Sequence, residues 1–164
     1  MTGREEKYNW AGPYMCSRHV IVVRKDSSIK KLSDLNGRIV AAQVGTKPET
    51  LFLNKSNHLP KIKSLVTFKT IDEVISALRK GYVDAIAAHE GVLRQYTKDE
   101  ITQYRFLSES IYSAKLGVAF SKKSDQQIAD KLTKVLRKMV ADGTVSRIVE
   151  KYSMNGIQAV KDLE

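Results

Sequence analysis

The residue types best suited to binding chemistry in this sequence follow predicted strands. Gly45 and Thr46 stand directly before a predicted helix that carries Pro48 in its first turn. Free backbone N–H groups and the helix dipole at such a position favour an anion, and Lys47 adds a positive charge. A simple helix N-cap by Thr46 would explain the same pattern without a ligand, so both interpretations stay open.

Other polar residues end the neighbouring strand candidates. Gln43 closes the strand before this turn, so its amide could bind a ligand as donor or acceptor, or end the strand in solvent. His89 and Glu90 follow the strand candidate 83–88, and α/β sheets carry ligand residues at the carboxyl ends of strands. The pair could also act as acid and base. Since the sequence has no nucleophile elbow, phosphate-binding glycine loop or zinc-ligand spacing, we predict no catalytic residue, metal site or cofactor.

Alternating apolar runs and amphipathic segments define the elements that must position these residues. Runs typical of strands buried on both faces occur at 19–23, 39–42, 65–68 and 83–88. A capping box at 70–73 begins a helix between the last two of them. Because strands alternate with helices, the sequence predicts a mostly parallel, doubly wound α/β sheet. A further strand at 116–120 precedes two amphipathic helices, the first of which begins at Ser124 or Asp125.

The charge of the chain favours anionic partners without choosing among them. The sequence has 28 Lys and Arg residues against 18 Asp and Glu residues, a net charge of +10. The basic residues of the longest predicted helix lie away from its apolar stripe, so a solvated face explains them. We predict no nucleic-acid partner, because no arginine-rich arm with stacking aromatics is present, and keep a basic adhesion module for envelope polymers or nucleic acid as a minor alternative. The single Cys16 excludes an intrachain disulfide.

Five motifs occur in the order that they have in one known family. They are Arg followed by an aromatic residue and Pro-Tyr at 4–14, Asp-Leu-Asn-Gly-Arg-Ile-Val at 34–40, Gln-Val-Gly-Thr at 43–46, Gly-Tyr-Val-Asp-Ala at 81–85, and Ala-Asp-Gly-Thr at 141–144 with Lys-Tyr at 151–152. Each motif is weak alone, but together they cover nearly the whole chain. The sequence thus resembles the extracellular, or periplasmic-type, solute-binding proteins of ABC transporters, in their polar amino-acid-binding class.

This resemblance implies an α/β fold of the periplasmic-binding-protein-like type II, with two lobes joined by two crossing segments around a cleft. Residues 1–18 would form the end of lobe one and the first crossing, and residues 19–112 a complete, doubly wound lobe two. Residues 113–164 would form the second crossing and the C-terminal helices of lobe one. We expect the N-terminal part of lobe one, a signal peptide and a lipid anchor to lie outside this chain. The expected location is extracellular or periplasmic, with the protein anchored at the cell surface.

The resemblance also implies how a solute would be held. Arg4 matches the family's arginine that grips the solute's carboxylate, for which a guanidinium presents a rigid fork of two hydrogen bonds. Gln43 and the turn 45–47 would supply the lobe-two side. His89 stands where amino-acid binders place an Asp for the solute's ammonium group, and a histidine cannot supply that negative charge, although Glu90 could replace it. We therefore expect a preference either for solutes with surplus negative charge or for amino acids whose amine is held by Glu90.

The leading hypothesis is non-catalytic binding of a small carboxylate-bearing solute, an amino acid or a related compound, for ABC import or extracellular sensing. Its expected partners are that solute and an ABC permease or an attached sensor. A dehydratase-like enzyme on the same fold is the alternative from another class. The apolar faces of the predicted helices at 124–141 and 145–152 would stay partly exposed, so we also expect the chain to self-associate.

Overall fold

The computed structural model describes residues 5–56, 58–152, 154–161 and 163. Within these ranges the strands are β1 (Tyr8–Arg24), β2 (Ile39–Gln43), β3 (Ser64–Phe68), β4 (Ala85–His89) and β5 (Tyr104–Ser121). The helices are α1 (Lys47–Leu53), α2 (Ile71–Arg79), α3 (Glu90–Tyr96), α4 (Gln126–Ala141), α5 (Thr144–Glu150) and α6 (Gly156–Val160). Three short 3₁₀ turns lie at Glu5–Lys7, Leu32–Leu35 and Lys98–Gln103. Strands and helices alternate from β2 to α3, as the sequence predicts.

The strands form one sheet in the order β3-β2-β4-β1-β5. β2 pairs in parallel with both β3 and β4. β1 instead pairs antiparallel with β4, so that His19 lies opposite His89 and Val22 lies opposite Ile86. The apolar run 19–23 has the pattern of a strand in a parallel sheet, but its partner runs in the opposite direction. This difference arises because the pattern reports burial on both faces rather than strand direction.

Both faces of the sheet are covered by apolar side chains. On one face, Val20 and Val22 of β1 pack in a cluster with Val74 and Leu78 of α2. On the other face, the residues that alternate with them belong to a second cluster, which consists of Ile21, Val23, Ile29, Leu35, Val40, Leu51, Phe52, Ala85, Ala87, Leu107 and Ile111. Full burial of such a side chain stabilises the fold by about 1.5–3 kcal/mol. This two-sided core fixes the strand ends at which the polar candidates lie.

The helix starts follow the predicted capping chemistry. At α2, the Glu73 N–H donates to Thr70 Oγ1 at 3.3 Å and the Thr70 N–H donates to Glu73 Oε2 at 2.9 Å, which confirms the capping box. At α4, Asp125 is the N-cap, and its carboxylate accepts the Gln127 N–H at 2.9 Å. Both caps satisfy N–H groups that the first helical turn leaves without an intrahelical partner.

The chain divides into two compact units. One unit spans residues 18–112 and contains β2, β3, β4 and α1 to α3. The other combines the residues up to Ser17 with those from Ser113 onwards, and it contains α4, α5 and α6. The assignment of these units to the lobes of a clamp, with the boundaries 1–18, 19–112 and 113–164, stays a prediction.

In the unit that contains α4, this helix leaves apolar side chains open to solvent. Thr133 Oγ1 accepts the Gly12 N–H at 3.1 Å, which ties α4 to β1. Ala129 of α4 is buried, whereas Ile128 and Val135 are 52% and 54% exposed. In the described ranges, no helix combines the length and the apolar character that a membrane span requires.

Candidate functional site

The candidate site residues of the unit 18–112 meet at one edge of the sheet. β2 ends at Gln43 and β4 ends at His89, and the register of these two parallel strands places their carboxyl ends side by side. α1 begins at Lys47 and α3 at Glu90, soon after these strand ends. The structure therefore gathers these predicted residues at one edge. Arg4 lies outside the described residues.

The turn between β2 and α1 is held by its own side chains. Gly45 adopts a φ of 75°, which favours glycine. Thr46 is the N-cap residue of α1, but its hydroxyl donates to the Gln43 carbonyl at 2.6 Å. The Gly45 N–H donates to Glu49 Oε2 at 2.7 Å, and the Gln43 side-chain amide donates to the Lys69 carbonyl at 3.0 Å. An anionic ligand at this turn would have to share the Gly45 N–H with the Glu49 carboxylate.

His89 is positioned as the N-cap of α3. Its Nδ1 atom accepts a hydrogen bond from the Gly91 N–H at 3.1 Å, so the neutral ring carries its proton on Nε2. Burial lowers the pKa of His89 below 6.5, although the charge of Glu90 acts in the opposite direction. His89 is therefore neutral at pH 7, and it gains a positive charge only in more acidic solution than an exposed histidine does.

Glu90 is buried between two arginines. Its Oε2 atom accepts from Arg18 Nε at 2.9 Å, and its Oε1 atom accepts from Arg94 Nε at 2.9 Å. Arg18 also donates to the Ser108 carbonyl at 3.2 Å, and the Arg94 guanidinium lies 4.5 Å from the centre of the Phe106 ring. Both carboxylate oxygens are thus engaged with guanidinium groups. The triad of Arg18, Glu90 and Arg94 keeps one net positive charge.

Two side chains that the sequence did not single out as ligand residues complete the surroundings of His89. His19 and Tyr112 join Lys47 and His89 in what we call the histidine cluster. The His19 and His89 rings meet edge to face with their centres 5.5 Å apart, and the His19 and Tyr112 ring centres are 5.8 Å apart. Lys47 Nζ lies 4.8 Å from the centre of the Tyr112 ring. Burial lowers the pKa of His19 to about 4, with smaller effects from the charges of His89 and Lys47.

Strand direction explains why His19 is easily missed in the sequence. His19 precedes an apolar strand, whereas His89 follows one. In a parallel sheet these two residues would lie at opposite edges. The antiparallel pairing of β1 with β4 brings them to the same edge and places them directly opposite each other. The two histidines that flank apolar runs are visible in the sequence, but their contact can be inferred only when the direction of the strands is known.

Metal ligation is not indicated in the described part of the chain. No group of three or more His, Cys, Asp or Glu side chains there is arranged to hold a metal ion. The chemistry that the strand-end edge offers is hydrogen bonding and electrostatic attraction, supplied by the Lys47 ammonium, the imidazoles and the Gln43 amide.

A sheet covered on both faces, with polar side chains gathered at the carboxyl ends of parallel strands, is typical of proteins that bind a small solute at that edge. Residues 12–164 match the family model described as ABC transporter, phosphonate, periplasmic substrate-binding protein. The chain belongs to this family of periplasmic substrate-binding proteins of ABC transporters. This match confirms the resemblance seen in the sequence, and the similarity to a solved substrate-binding domain confirms the expected type II fold.

Individual relatives agree with this assignment. The chain is 30% identical over 154 residues to the glutamate-binding protein GluB of Corynebacterium glutamicum, an alignment that covers 90% of this chain and 50% of GluB. It is 32% identical over 142 residues to the histidine-binding periplasmic protein of Escherichia coli, covering 80% of this chain and 53% of that protein. The chain thus spans about half the length of these relatives.

A solved structure supports the fold independently. Substrate-binding domain 2 of GlnP from Lactococcus lactis, in an open conformation, superimposes with a TM-score of 0.77 at 23% identity. The match covers 93% of this chain and 65% of the GlnP domain. At this level of identity the similarity shows the shared architecture alone.

Proposed function

We propose that this chain binds a small carboxylate-bearing solute, an amino acid or a related compound, without converting it chemically. The observation that carries the proposal is the strand-end edge of the unit 18–112, where Gln43, Lys47 and His89 lie together. Arg4 and the turn residues Gly45 and Thr46 belong to the proposed site on the grounds of the family resemblance. The names of relatives that bind glutamate and histidine support an amino acid or a similar compound as the solute.

The charges at this edge favour a solute with surplus negative charge. Lys47 carries an ammonium group, and the triad around Glu90 keeps a net positive charge. His89 contributes no negative charge in either protonation state. The carboxylates of Glu49 and Glu90 at this edge already accept N–H groups. An acidic solute therefore gains more here than a cationic one.

The engagement of Glu90 weighs against the dehydratase-like alternative. A general base must be able to accept a proton from the substrate. Glu90 would first have to release Arg18 and Arg94, and His89 would have to give up its hydrogen bond to Gly91. A general base at either position would have to break these contacts, which weighs against catalysis.

We further propose that the solute is delivered to an ABC permease or signalled to an attached sensor, from a position at the cell surface maintained by a lipid anchor. The family's periplasmic transport role supports the permease as partner. We also propose self-association of this chain through residues 118–164. The exposed Ile128 and Val135 of α4 and Ile148 of α5 support this, since exposed apolar side chains favour contacts with a partner.

The binding proposal is tested by isothermal titration calorimetry of the 164-residue chain with L-glutamate, succinate, methylphosphonate and L-histidine at pH 7. We expect the acidic probes to bind more tightly than L-histidine. Lys47→Gln should weaken binding of the acidic probes by about 1.5–3 kcal/mol, the value of a hydrogen bond to a charged group. Lys80→Gln, at the end of α2, is the matched control and should leave binding unchanged.

His89→Asp tests the ligand class. An Asp at the end of β4 can accept an ammonium group, so this variant should shift the preference from succinate towards L-histidine. Absence of binding to all four probes would contradict the proposed function. Equal binding of all four by the wild-type chain would contradict the charge argument, and an unaltered ranking in His89→Asp would remove His89 from the site.

A further inference from the structure

His19 contains a polar atom that the described part of the chain leaves unsatisfied. Its Nδ1 atom is buried and has no hydrogen-bond partner among the described residues. Buried polar atoms in folded proteins nearly always have partners, so an unsatisfied one requires an explanation, such as a site that a ligand completes. His19 lies at the end of the β1–β4 pairing, directly opposite His89, at the edge where the proposed ligand residues meet.

The charged and titratable groups that face His19 come from each neighbouring strand and helix. β4 presents the His89 ring, β5 presents the Tyr112 ring, and α1 presents the Lys47 ammonium against that tyrosine. On its own strand, the adjacent Arg18 is paired with Glu90. These neighbours are neutral, cationic or, in the case of Glu90, already compensated. The component missing from the histidine cluster is therefore a negative charge.

We propose that His19 is a further specificity-determining residue, whose imidazole becomes protonated and donates a hydrogen bond to the acidic group of the bound solute. This inference rests on the proposed function of solute binding. Lys47 has an exposed side chain, so its ammonium can leave the Tyr112 ring and pair with the same acidic group. Tyr112 and His89 would close the pocket around that group. The expected ligand is a solute that presents a carboxylate or phosphonate group to His19 and Lys47. Any other group of the solute is bound by other residues.

Proton uptake on binding follows from this arrangement. The free chain holds His19 with a pKa of about 4, because the ring is buried near His89 and Lys47. An anion beside the ring favours the charged form and raises that pKa. Because the bound state then has the higher pKa, affinity increases as the pH falls from the bound-state value towards 4. The increase can reach about tenfold per pH unit, the limit for one proton.

L-Glutamate is the probe for this step, since its side-chain carboxyl stays ionised above about pH 5.5. Calorimetry at pH 6 in two buffers of different ionisation enthalpy measures the number of protons taken up. We expect uptake of up to one proton by the wild-type chain. In His19→Gln we expect the total proton uptake to fall and the binding constant to be weaker by about tenfold at pH 6, equivalent to one pKa unit.

Histidine NMR provides a measurement on the wild-type chain itself. The sequence contains three histidines, His19, His58 and His89. Saturation with L-glutamate should raise the titration midpoint of the His19 signal. His58 bonds through Nε2 to the Ile111 carbonyl at 2.9 Å and has no place in the proposed contact, so its signal serves as the internal reference.

The outcomes separate the two proposals. If none of the four probes binds, the proposed function fails, and the role of His19 fails with it. If L-histidine alone binds, only the role of His19 is overturned. If L-glutamate binds without proton uptake, or if uptake and affinity persist in His19→Gln, the role of His19 is overturned while the binding function stands. A titration midpoint of His19 that does not move on saturation would also overturn the role of His19. This measurement uses the wild-type chain, so it remains decisive even if His19→Gln fails to fold.

Discussion

Replacement of Glu90 by Gln should destabilise this protein strongly, because Glu90 neutralises two guanidinium groups in a buried position. The side chains of Arg18 and Glu90 are 10% and 8% exposed, and that of Arg94 is 22% exposed. Removing one partner from a buried ion pair typically costs about 3–5 kcal/mol. The Gln oxygen keeps one hydrogen bond and Arg94 retains some hydration, so we expect a loss of about 2–4 kcal/mol. For a chain of this size that lowers the Tm by roughly 4–16 °C.

The assay is urea denaturation, in which the midpoint should fall while the slope with denaturant stays constant. Glu100→Gln is the matched control. Glu100 pairs with Arg79 at 3.0 Å, but these side chains are 35% and 52% exposed, and exposed ion pairs contribute little to stability. If Glu90→Gln shifts the midpoint no further than Glu100→Gln, the buried triad does not stabilise the fold. Loss of solute binding with unchanged stability would instead assign Glu90 to the solute's ammonium group.

Three further predictions concern pH, the solute's carboxylate and assembly. The pKa of His19 is about 4 in the folded chain and 6.5 ordinarily, so the unfolded chain binds the extra proton and stability falls as the pH decreases from 6.5 towards 4. His19→Gln should reduce this fall by about 1–2 kcal/mol in urea denaturation, a value lowered for solvent screening of the half-buried ring. Arg4→Lys should weaken solute binding by roughly 1–3 kcal/mol in calorimetry, because Lys keeps the charge but loses the two-bond fork, and unchanged affinity would remove Arg4 from the site. Light scattering should show self-association that Val135→Asp in α4 reduces, whereas a strictly monomeric, compact wild-type chain would refute it.

Much of the fold could be predicted because local patterns report burial and helix starts directly. The apolar runs at 39–42 and 65–68 correspond to β2 and β3, and the capping box at Thr70 and Glu73 marks the start of α2. The direction of β1 could not be predicted in this way. A strand with helices on both faces has the same apolar pattern whether its neighbour is parallel or antiparallel. Direction depends on connections and pairing partners that lie far apart in the sequence.

The contacts of the site likewise include local ones, which the sequence reveals, and long-range ones, which only the fold reveals. Glu90 and Arg94 have the i,i+4 spacing of an ion pair on one helix face, a signal readable from the sequence. Arg18 lies 72 residues from Glu90 in the chain, so its share of the carboxylate appears only in the fold. The same holds for the meeting of His19 with His89. Sequence reasoning located the strand ends that carry ligand-type residues, and the pairing determined which of their charges are already compensated.

The matching family is described by a phosphonate, whereas the named relatives are described as binding glutamate and histidine. The engagement of Glu90 with two arginines bears on which kind of solute fits this chain. An α-amino acid needs an acceptor for its ammonium group, and the Glu49 and Glu90 carboxylates at the strand-end edge each accept N–H groups from the chain itself. An ammonium bound there would compete with two guanidinium groups for Glu90, and it would lie near the Lys47 ammonium, since Lys47 and His89 belong to one cluster. An acidic group meets neither obstacle, because Lys47 and the imidazoles can both satisfy it. The described residues of the proposed site therefore favour the acidic end of a solute, and we predict that any ammonium group is recognised by residues other than Glu49 and Glu90.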